Sequence, residues 1–330
     1  MAYTSRAQYL FGEALLVAPI VAPIAPGSST VTATAWLPPG TWLSWNGALS
    51  YSSPATTGLS VNASYRIDEV PIFVRAGAVV PLRTMASLKQ TVAFSDPLVW
   101  VVWPAADVPN GNATVLEDDG ATLLFEQGAI AKTTMHWAWI ANGKGISKSR
   151  LAAGTVRRAV AIILTVEPTS GTFNVGCQAE VGFEYTGADL QDMGVTASAG
   201  ACCDVCGSFT NCAFWTYNTD NAHCALKVSR RGRHVNNSAV SGVAARIMPS
   251  SRAHVFQLRF PSPQQGQGPS TVNVNGVPLT RISPASQAAG WFVQPAAKDC
   301  STSLITAEGS VVVQTERIPV ASAVTVVIHW

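Results

Sequence analysis

The stretch TVTATAWLPPGTWLSWNG, residues 30–47, sets the reading of the chain. Residues 31–37 are rich in β-branched and aromatic side chains, Pro38-Pro39-Gly40 breaks the run, and residues 41–45 resume it. Asn46-Gly47 then supplies a dipeptide that tolerates the positive backbone angles of a tight hairpin turn. The same alternation of short β-rich runs and turn signals continues outward. Ile72-Phe73-Val74 and Ala78-Val79-Val80 flank Gly77, and residues 98–103 are a dense β stretch. ATVLEDDGATLLFEQG (113–128) reads as strand, turn at Asp119-Gly120, strand. Residues 160–166, 254–260, 271–277, 311–315 and 323–330 repeat the theme. Spacing of this kind predicts antiparallel β-sandwiches.

Toward the amino terminus the pattern changes. YLFGEALLVAPIVAPIAP (9–26) contains LLVAPI, an apolar run without alternation, as expected of a strand buried on both faces in a parallel sheet or barrel. Pro19, Pro23 and Pro26 interrupt the longest apolar run, residues 14–26, and a bilayer span needs about 20 apolar residues, so no membrane span is expected. Gln8 and Glu13 fall where a secretory leader would be uninterrupted. Met1 is therefore read as a truncation or an internal start, and the chain as the back end of a longer one.

Composition narrows the class further. With 48% hydrophobic and 12% charged residues in 330, the chain is too apolar to be disordered and long enough for two or three domains. A net charge of +2 gives no basis for a nucleic-acid partner. Between Asp220 and Asp299 there is no acid but there are nine Lys and Arg, read as a solvated basic face rather than an anionic-glycan site.

Six of the seven cysteines, Cys177, Cys202, Cys203, Cys206, Cys212 and Cys224, crowd into one window, and Cys300 stands apart. Such crowding predicts a local disulfide framework and an oxidising compartment: the secretory pathway, extracellular or a lysosome-like lumen. The sequons at Asn62, Asn112 and Asn236 add little, since about two are expected by chance in this composition. SAGACCDVC (198–206) reads as a short helix capped by Ser198 and ended by Gly207, with its thiols sharing roughly one face. Cys203-x2-Cys206 lacks the second cysteine pair or histidine pair of a zinc site. No metal and no cofactor are expected.

QYLFGEALLVAPI (8–20), WLPPGTW (36–42), DEVPIFVRAGAVVPL (68–82) and LEDDGATLLFEQG (116–128), in that order, resemble glycoside hydrolase family 31, the α-glucosidase-type family of retaining glycosidases. The resemblance covers residues 1–166 well and 253–330 loosely, through VNVNGVPL (272–279) and the final strand. It implies two β-sandwiches following the last strand of a (β/α)8 barrel. FEYTGADL (183–190) followed by ACCDVCGSFTNCAFWTYNTDNAHCALK (201–227) resembles the PAN/apple module, a helix cross-linked to a curved sheet. The expected domains are a barrel remnant at 1–25, a proximal sandwich at 26–82, a distal sandwich at 83–176 and 249–330, and the module inserted at 177–248.

By resemblance, the whole enzyme hydrolyses terminal α-glycosidic bonds with two carboxylates, but the motifs that carry them have no counterpart here. Asp68-Glu69 and Asp118-Asp119 are adjacent pairs that point to opposite faces of a strand and cannot converge on one sugar. No catalytic residue is assigned. The expected partner is the missing catalytic barrel, with Arg75 at the interface beside Asp68-Glu69. Oligo- or polysaccharide or a protein is expected at the module, where Trp215 and Tyr217 are the candidate contacts. Trp36, Trp42 and Trp45 are read as core or interface rather than a sugar platform. Within the module, Cys206 is expected to pair with Cys212, one of Cys202 and Cys203 with Cys224 and the other with Cys177, leaving Cys300 free, because adjacent helical residues diverge by about 100°. The alternative from another class is a stand-alone secreted adhesion or lectin-like protein.

Overall fold

A computed structural model describes residues 7–45, 49–66, 68–83, 97–105, 107–118, 123–141, 144–145, 160–171, 177–187, 189–209, 212–228, 231–243, 250–260, 268–286, 288–294 and 310–330. The Asn46-Gly47 and Asp119-Gly120 turns and Cys300 lie outside the described residues.

The first unit is a sandwich of a five-stranded sheet and a two-stranded one. The larger sheet runs Tyr9–Phe11, Leu15–Val17, Ile72–Arg75, Gly40–Ser44, Ser50–Ser53, with every neighbour antiparallel. Thr30–Leu37 pairs with Leu59–Arg66 to form the facing layer, whose inward residues alternate with exposed ones as a half-buried strand requires. Leu16, Trp42 and Phe73 meet Ala35 and Leu37 in the core between the layers.

The other face of the five-stranded sheet is covered as well. Leu15, Leu43 and Val74 pack against Val99, Val101 and Trp103 of the second unit. That explains LLV without a barrel: the strand is buried on both faces because a second sandwich lies against its sheet. Leu15–Val17 is hydrogen-bonded on both edges, to Tyr9–Phe11 and to Ile72–Arg75.

The second sandwich is discontinuous in sequence. One sheet runs Asn110–Glu117, Ala131–Ala141, Val160–Val166, Val324–His329, Thr271–Val274, Val277–Pro278, with Lys144–Gly145 paired to Ala131–Ala141. The other runs Gly290–Val293, Val311–Gln314, His254–Leu258, Leu98–Val102, Val79–Arg83; only Leu98–Val102 with His254–Leu258 is parallel. Trp100, Trp137, Ile162, Phe256, Val313 and Val326 are among the buried residues between them. Val79–Arg83 belongs to this sheet, through its ladder to Leu98–Val102. The joint is tight: Trp137 Nε1 donates to Gly77 O (3.0 Å), and a Cβ on Gly111 would lie 2.0 Å from that same oxygen.

Two local readings change. Leu124–Gln127 is a short 3-10 turn closed by Gly128 at φ 87°, not the return strand of a hairpin; Asn110–Glu117 pairs instead with Ala131–Ala141. The helix of the third unit runs Ala199–Ser208, through Gly207, with Ser198 Oγ accepting from Ala201 N (3.1 Å).

Among the described residues, that third unit is built from residues between 177 and 243. Its antiparallel sheet runs Gln178–Thr186, Gly232–Val243, Phe214–Asn218, His223–Lys227, Asp189–Val195, and the helix covers one face.

Candidate functional site

The first sandwich presents an uncovered apolar face. Tyr9–Phe11 ends its sheet and pairs, among the described residues, along one edge only, to Leu15–Val17. Tyr9, Leu10 and Phe11 are all exposed, Phe11 by 66%. Val21 (78%) and Val70 are exposed as well, and Pro19, Ile20, Ala22, Pro23, Ile24, Val31, Arg66, Glu69 and Val70 line an open cleft of about 440 Å³. Prolines keep this segment from joining a sheet, because they lack the N–H a ladder needs.

The acids expected to meet Arg75 serve Arg66 instead. Arg66 Nε and Nη2 reach Asp68 Oδ1 and Oδ2 (3.0 and 2.6 Å), and Arg66 N donates to Glu69 Oε2 (2.7 Å). Arg75 is exposed and lies over the Trp42 ring at 5.3 Å. Arg66 and Glu69 line the cleft, and Asp68 is held on the Arg66 guanidinium. Of the other pair, Asp119 lies outside the described residues.

The three indoles of the opening stretch go to three places. Trp42 is fully buried and donates to Pro38 O (2.8 Å). Trp36 lies over Gly58 and donates to Thr57 O (3.2 Å). Trp45 packs on Trp103 at 5.1 Å, and the buried Arg259 guanidinium sits 4.9 and 5.2 Å from the two rings while Nη1 donates to Trp45 O (2.6 Å). Burial lowers the Arg259 pKa, and the guanidinium remains charged at neutral pH. Trp45 thus braces the joint between sandwiches with Trp103, and the three indoles form no common platform.

A buried charge cluster escaped the sequence reading. Arg252 Nη1 and Nη2 donate to Glu117 Oε2 and Oε1 (2.6 and 3.1 Å), and Arg83 pairs with the same carboxylate. The cluster joins strands on either side of the third unit. Its signal was available, since Glu117 falls in phase with the inward Ala113 and Val115 along an alternating strand. Next to it, His254 is held at a pKa of about 4 by burial and by Arg252, so its ring is neutral and Nδ1 accepts from Trp100 Nε1 (3.2 Å).

In the third unit the disulfides are Cys177–Cys203, Cys202–Cys224 and Cys206–Cys212, which assigns the two neighbouring helix cysteines to different partners. Trp215 and Tyr217, the candidate contacts, are corrected to core residues: they are 1% and 9% exposed, pack among the cysteines under the helix, and Trp215 Nε1 donates to Val243 O (3.1 Å). They lie on the middle strand of the sheet, beneath the helix. The basic tract is also less free than its sequence implies. Lys227 is buried and paired with Asp189 (2.5 Å), and Arg233 pairs with Glu180 (2.6 Å). The acids missing from the tract arrive from strands earlier in the chain. Among the described residues no group of three His, Cys, Asp or Glu could hold a metal ion, and no helix is long and apolar enough to cross a membrane.

Comparison with known proteins places these units. Residues 1–80 match the glycosyl hydrolase family 31 C-terminal domain, and residues 183–227 match the PAN domain. A 1,6-alpha-glucosyltransferase of Sporosarcina globispora is 26% identical over 127 residues, 38% of this chain and 9% of that protein. An alpha-xylosidase of Saccharolobus solfataricus is 25% identical over 189 residues, 57% of this chain and 24% of that protein. The chain thus spans about a quarter or less of the length of the curated relatives it matches. A GH31 dextranase of Flavobacterium johnsoniae, solved with glucose, superposes over 98% of this chain and 27% of its own at a TM-score of 0.52 and 16% identity, a likeness of fold alone. The chain therefore carries a glycosyl hydrolase family 31 C-terminal domain at residues 1–80 and a PAN domain within its disulfide-bonded third unit.

Proposed function

We propose that this chain is the non-catalytic carboxy-terminal part of a family-31-like glycoside hydrolase, in which it buttresses a catalytic barrel and shapes the rim of the sugar site. The carrying observation is the open strand Tyr9–Phe11 beside the proline-lined cleft, inside the residues matched to the C-terminal domain. An edge strand with exposed aromatic side chains next to further exposed apolar residues is a surface that a larger partner covers. The barrel is that partner, with Arg75 at the contact. In the whole enzyme the barrel supplies the nucleophile and the acid/base carboxylate, about 5–5.5 Å apart, for retaining hydrolysis of terminal α-linked sugars. The curated relatives, named as an α-glucosyltransferase and an α-xylosidase, favour an α-glycoside substrate. The disulfide-bonded PAN domain suits a secreted or lumenal protein and serves as a docking module for saccharide or protein, through surfaces other than Trp215 and Tyr217.

Aryl α-glucosides and maltose test the reading. Turnover is expected from the chain joined to its barrel and not from the chain alone. Turnover by the isolated chain that Asp118→Asn abolishes overturns it. A signal sequence in place of a barrel-encoding frame upstream of Met1 would favour the adhesion-like alternative.

A further inference from the structure

The three Asn-x-Ser/Thr sequons are equivalent in sequence and differ in the fold. At Asn62-Ala63-Ser64, on the strand Leu59–Arg66, Asn62 and Ser64 are exposed while Ala63 is turned inward. Asn62 Oδ1 accepts from Thr34 Oγ1 (2.6 Å), a contact that engages the amide by its oxygen and not by Nδ2. At Asn112-Ala113-Thr114, on Asn110–Glu117, the phase is the same: Asn112 and Thr114 are exposed and Ala113 packs against the core of the second sandwich. At Asn236-Asn237-Ser238 the phase is reversed. Asn237 is exposed, Asn236 and Ser238 are half-buried, Asn236 Nδ2 donates to Glu184 Oε2 (3.0 Å) and its Oδ1 accepts from Ser238 N (3.1 Å). Because a strand alternates with period two, a one-residue difference in phase decides whether a sequon faces solvent or protein.

We propose that Asn62 and Asn112 are N-glycosylated and that Asn236 is bare in the folded protein. The inference rests on the reading that the chain folds in the secretory pathway. In the transfer step Nδ2 bonds to the anomeric carbon of a polyprenyl-pyrophosphate-linked oligosaccharide. The bond from that carbon to the pyrophosphate oxygen breaks, the lipid pyrophosphate leaves, and the amide proton passes to a base of the transferase. Nothing is oxidised or reduced.

The sites also answer a physical need. Asn110–Glu117 ends the seven-stranded sheet, pairing among the described residues only with Ala131–Ala141 along its ladder, and it carries Leu116, 65% exposed, on the same face as Asn112. A long flat edge with an exposed leucine invites pairing with another chain, and a bulky hydrated glycan on that face blocks the approach. A glycan at Asn236 would instead displace the Glu184 contact and force a sugar into the ribbon formed by Gln178–Thr186 and Gly232–Val243. Chains modified there do not reach the disulfide-bonded fold.

The test is site mapping on the full chain, expressed behind a secretory leader in a eukaryotic cell and isolated as the folded, non-reduced fraction from medium and lumen. Enzymatic deglycosylation in heavy-oxygen water marks each occupied Asn as labelled Asp for peptide mass spectrometry. Label at Asn62 and Asn112 with none at Asn236 is expected, and Asn62→Gln and Asn112→Gln should each remove one gel-mobility step while Asn236→Gln removes none. An unlabelled Asn62 or Asn112, or a labelled Asn236, overturns the proposal. Since the leader is supplied, this outcome concerns the sites alone. The compartment is read separately, by alkylating the natural protein and asking whether the six module cysteines are oxidised.

Discussion

Replacing Glu117 by Gln tests the account of the second sandwich most sharply. Glu117 and Arg252 have side chains 5% and 2% exposed, and Arg83 is 19% exposed. All three charges have lost most of their water, and each is held by the others. Removing the carboxylate charge leaves two guanidiniums facing one another in a low-dielectric site, and breaking a buried pair in this way costs about 3–5 kcal/mol. Arg252→Met should cost less, because Glu117 keeps Arg83. The double variant Glu117→Leu with Arg252→Met should lose less than the sum of its two singles, since it leaves no unmatched Glu117 charge and the coupling between contacting residues is about 0.5–3 kcal/mol. For a domain of this size each kcal/mol lowers Tm by about 2–4 °C. Glu117→Gln should therefore melt roughly 6–20 °C early. Urea unfolding followed by tryptophan fluorescence reads the correct unit, because Trp100, Trp137 and Trp139 are buried in its core. A Glu117→Gln protein within about 1 kcal/mol of the parent, on the scale set for buried pairs, refutes the reasoning.

The remaining predictions concern other parts of the fold. His254 has a folded pKa of about 4 against 6.5 unfolded, so its contribution is complete above about pH 6.5 and is lost as pH falls toward 4; His254→Gln should flatten the stability profile in that window, by at most about 3 kcal/mol. Reduction should unfold residues 177–243 while leaving both sandwiches intact, seen as loss of hydrogen-exchange protection confined to that segment, because five of the six bonded cysteines stand in the module's core. Gly111→Ala should open the joint between sandwiches, since its Cβ would meet Gly77 O at 2.0 Å and Trp137 Nε1 at 2.6 Å; a melting temperature equal to the parent's would contradict that packing. Amides of Leu15–Val17 should exchange slowly in the isolated chain, because both edges of that strand are paired; rapid exchange would contradict that pairing.

The two sandwiches are interlocked in a way that accommodates the insertion. The chain leaves the second sandwich after Val160–Val166 and returns through Ser251–Arg252, where Arg252 closes on Glu117 and His254 on Trp100. Pairing of His254–Leu258 parallel to Leu98–Val102 then completes the sheet begun before the module. The module's described core is its own: the buried cluster lies within residues 202–226, and Leu190, Met193, Ala199 and Val240 pack against it.

Much of this was written locally. Strand after strand follows the β-branched runs between turn residues, and the helix follows Ser198 and the cysteine spacing, because backbone propensity, alternation and capping act over a few residues. Even the burial of LLV on both faces was legible from its lack of alternation. What covers those faces was not, because an apolar run records that it is buried and not against what; the structure answers with a second sandwich instead of a barrel. Trp215 and Tyr217 likewise read as candidate contacts, because their place beneath the helix depends on packing. The Glu117–Arg252 pair spans 135 residues, and the Leu98–Val102 ladder to His254–Leu258 crosses the whole insertion. Composition and spacing alone determined that the chain is β-rich and stapled by disulfides. Tertiary packing decided which side of each strand meets water, and hence which apolar face stays open and which sequons a glycan can occupy, since that choice depends on neighbours that only the closed fold brings together.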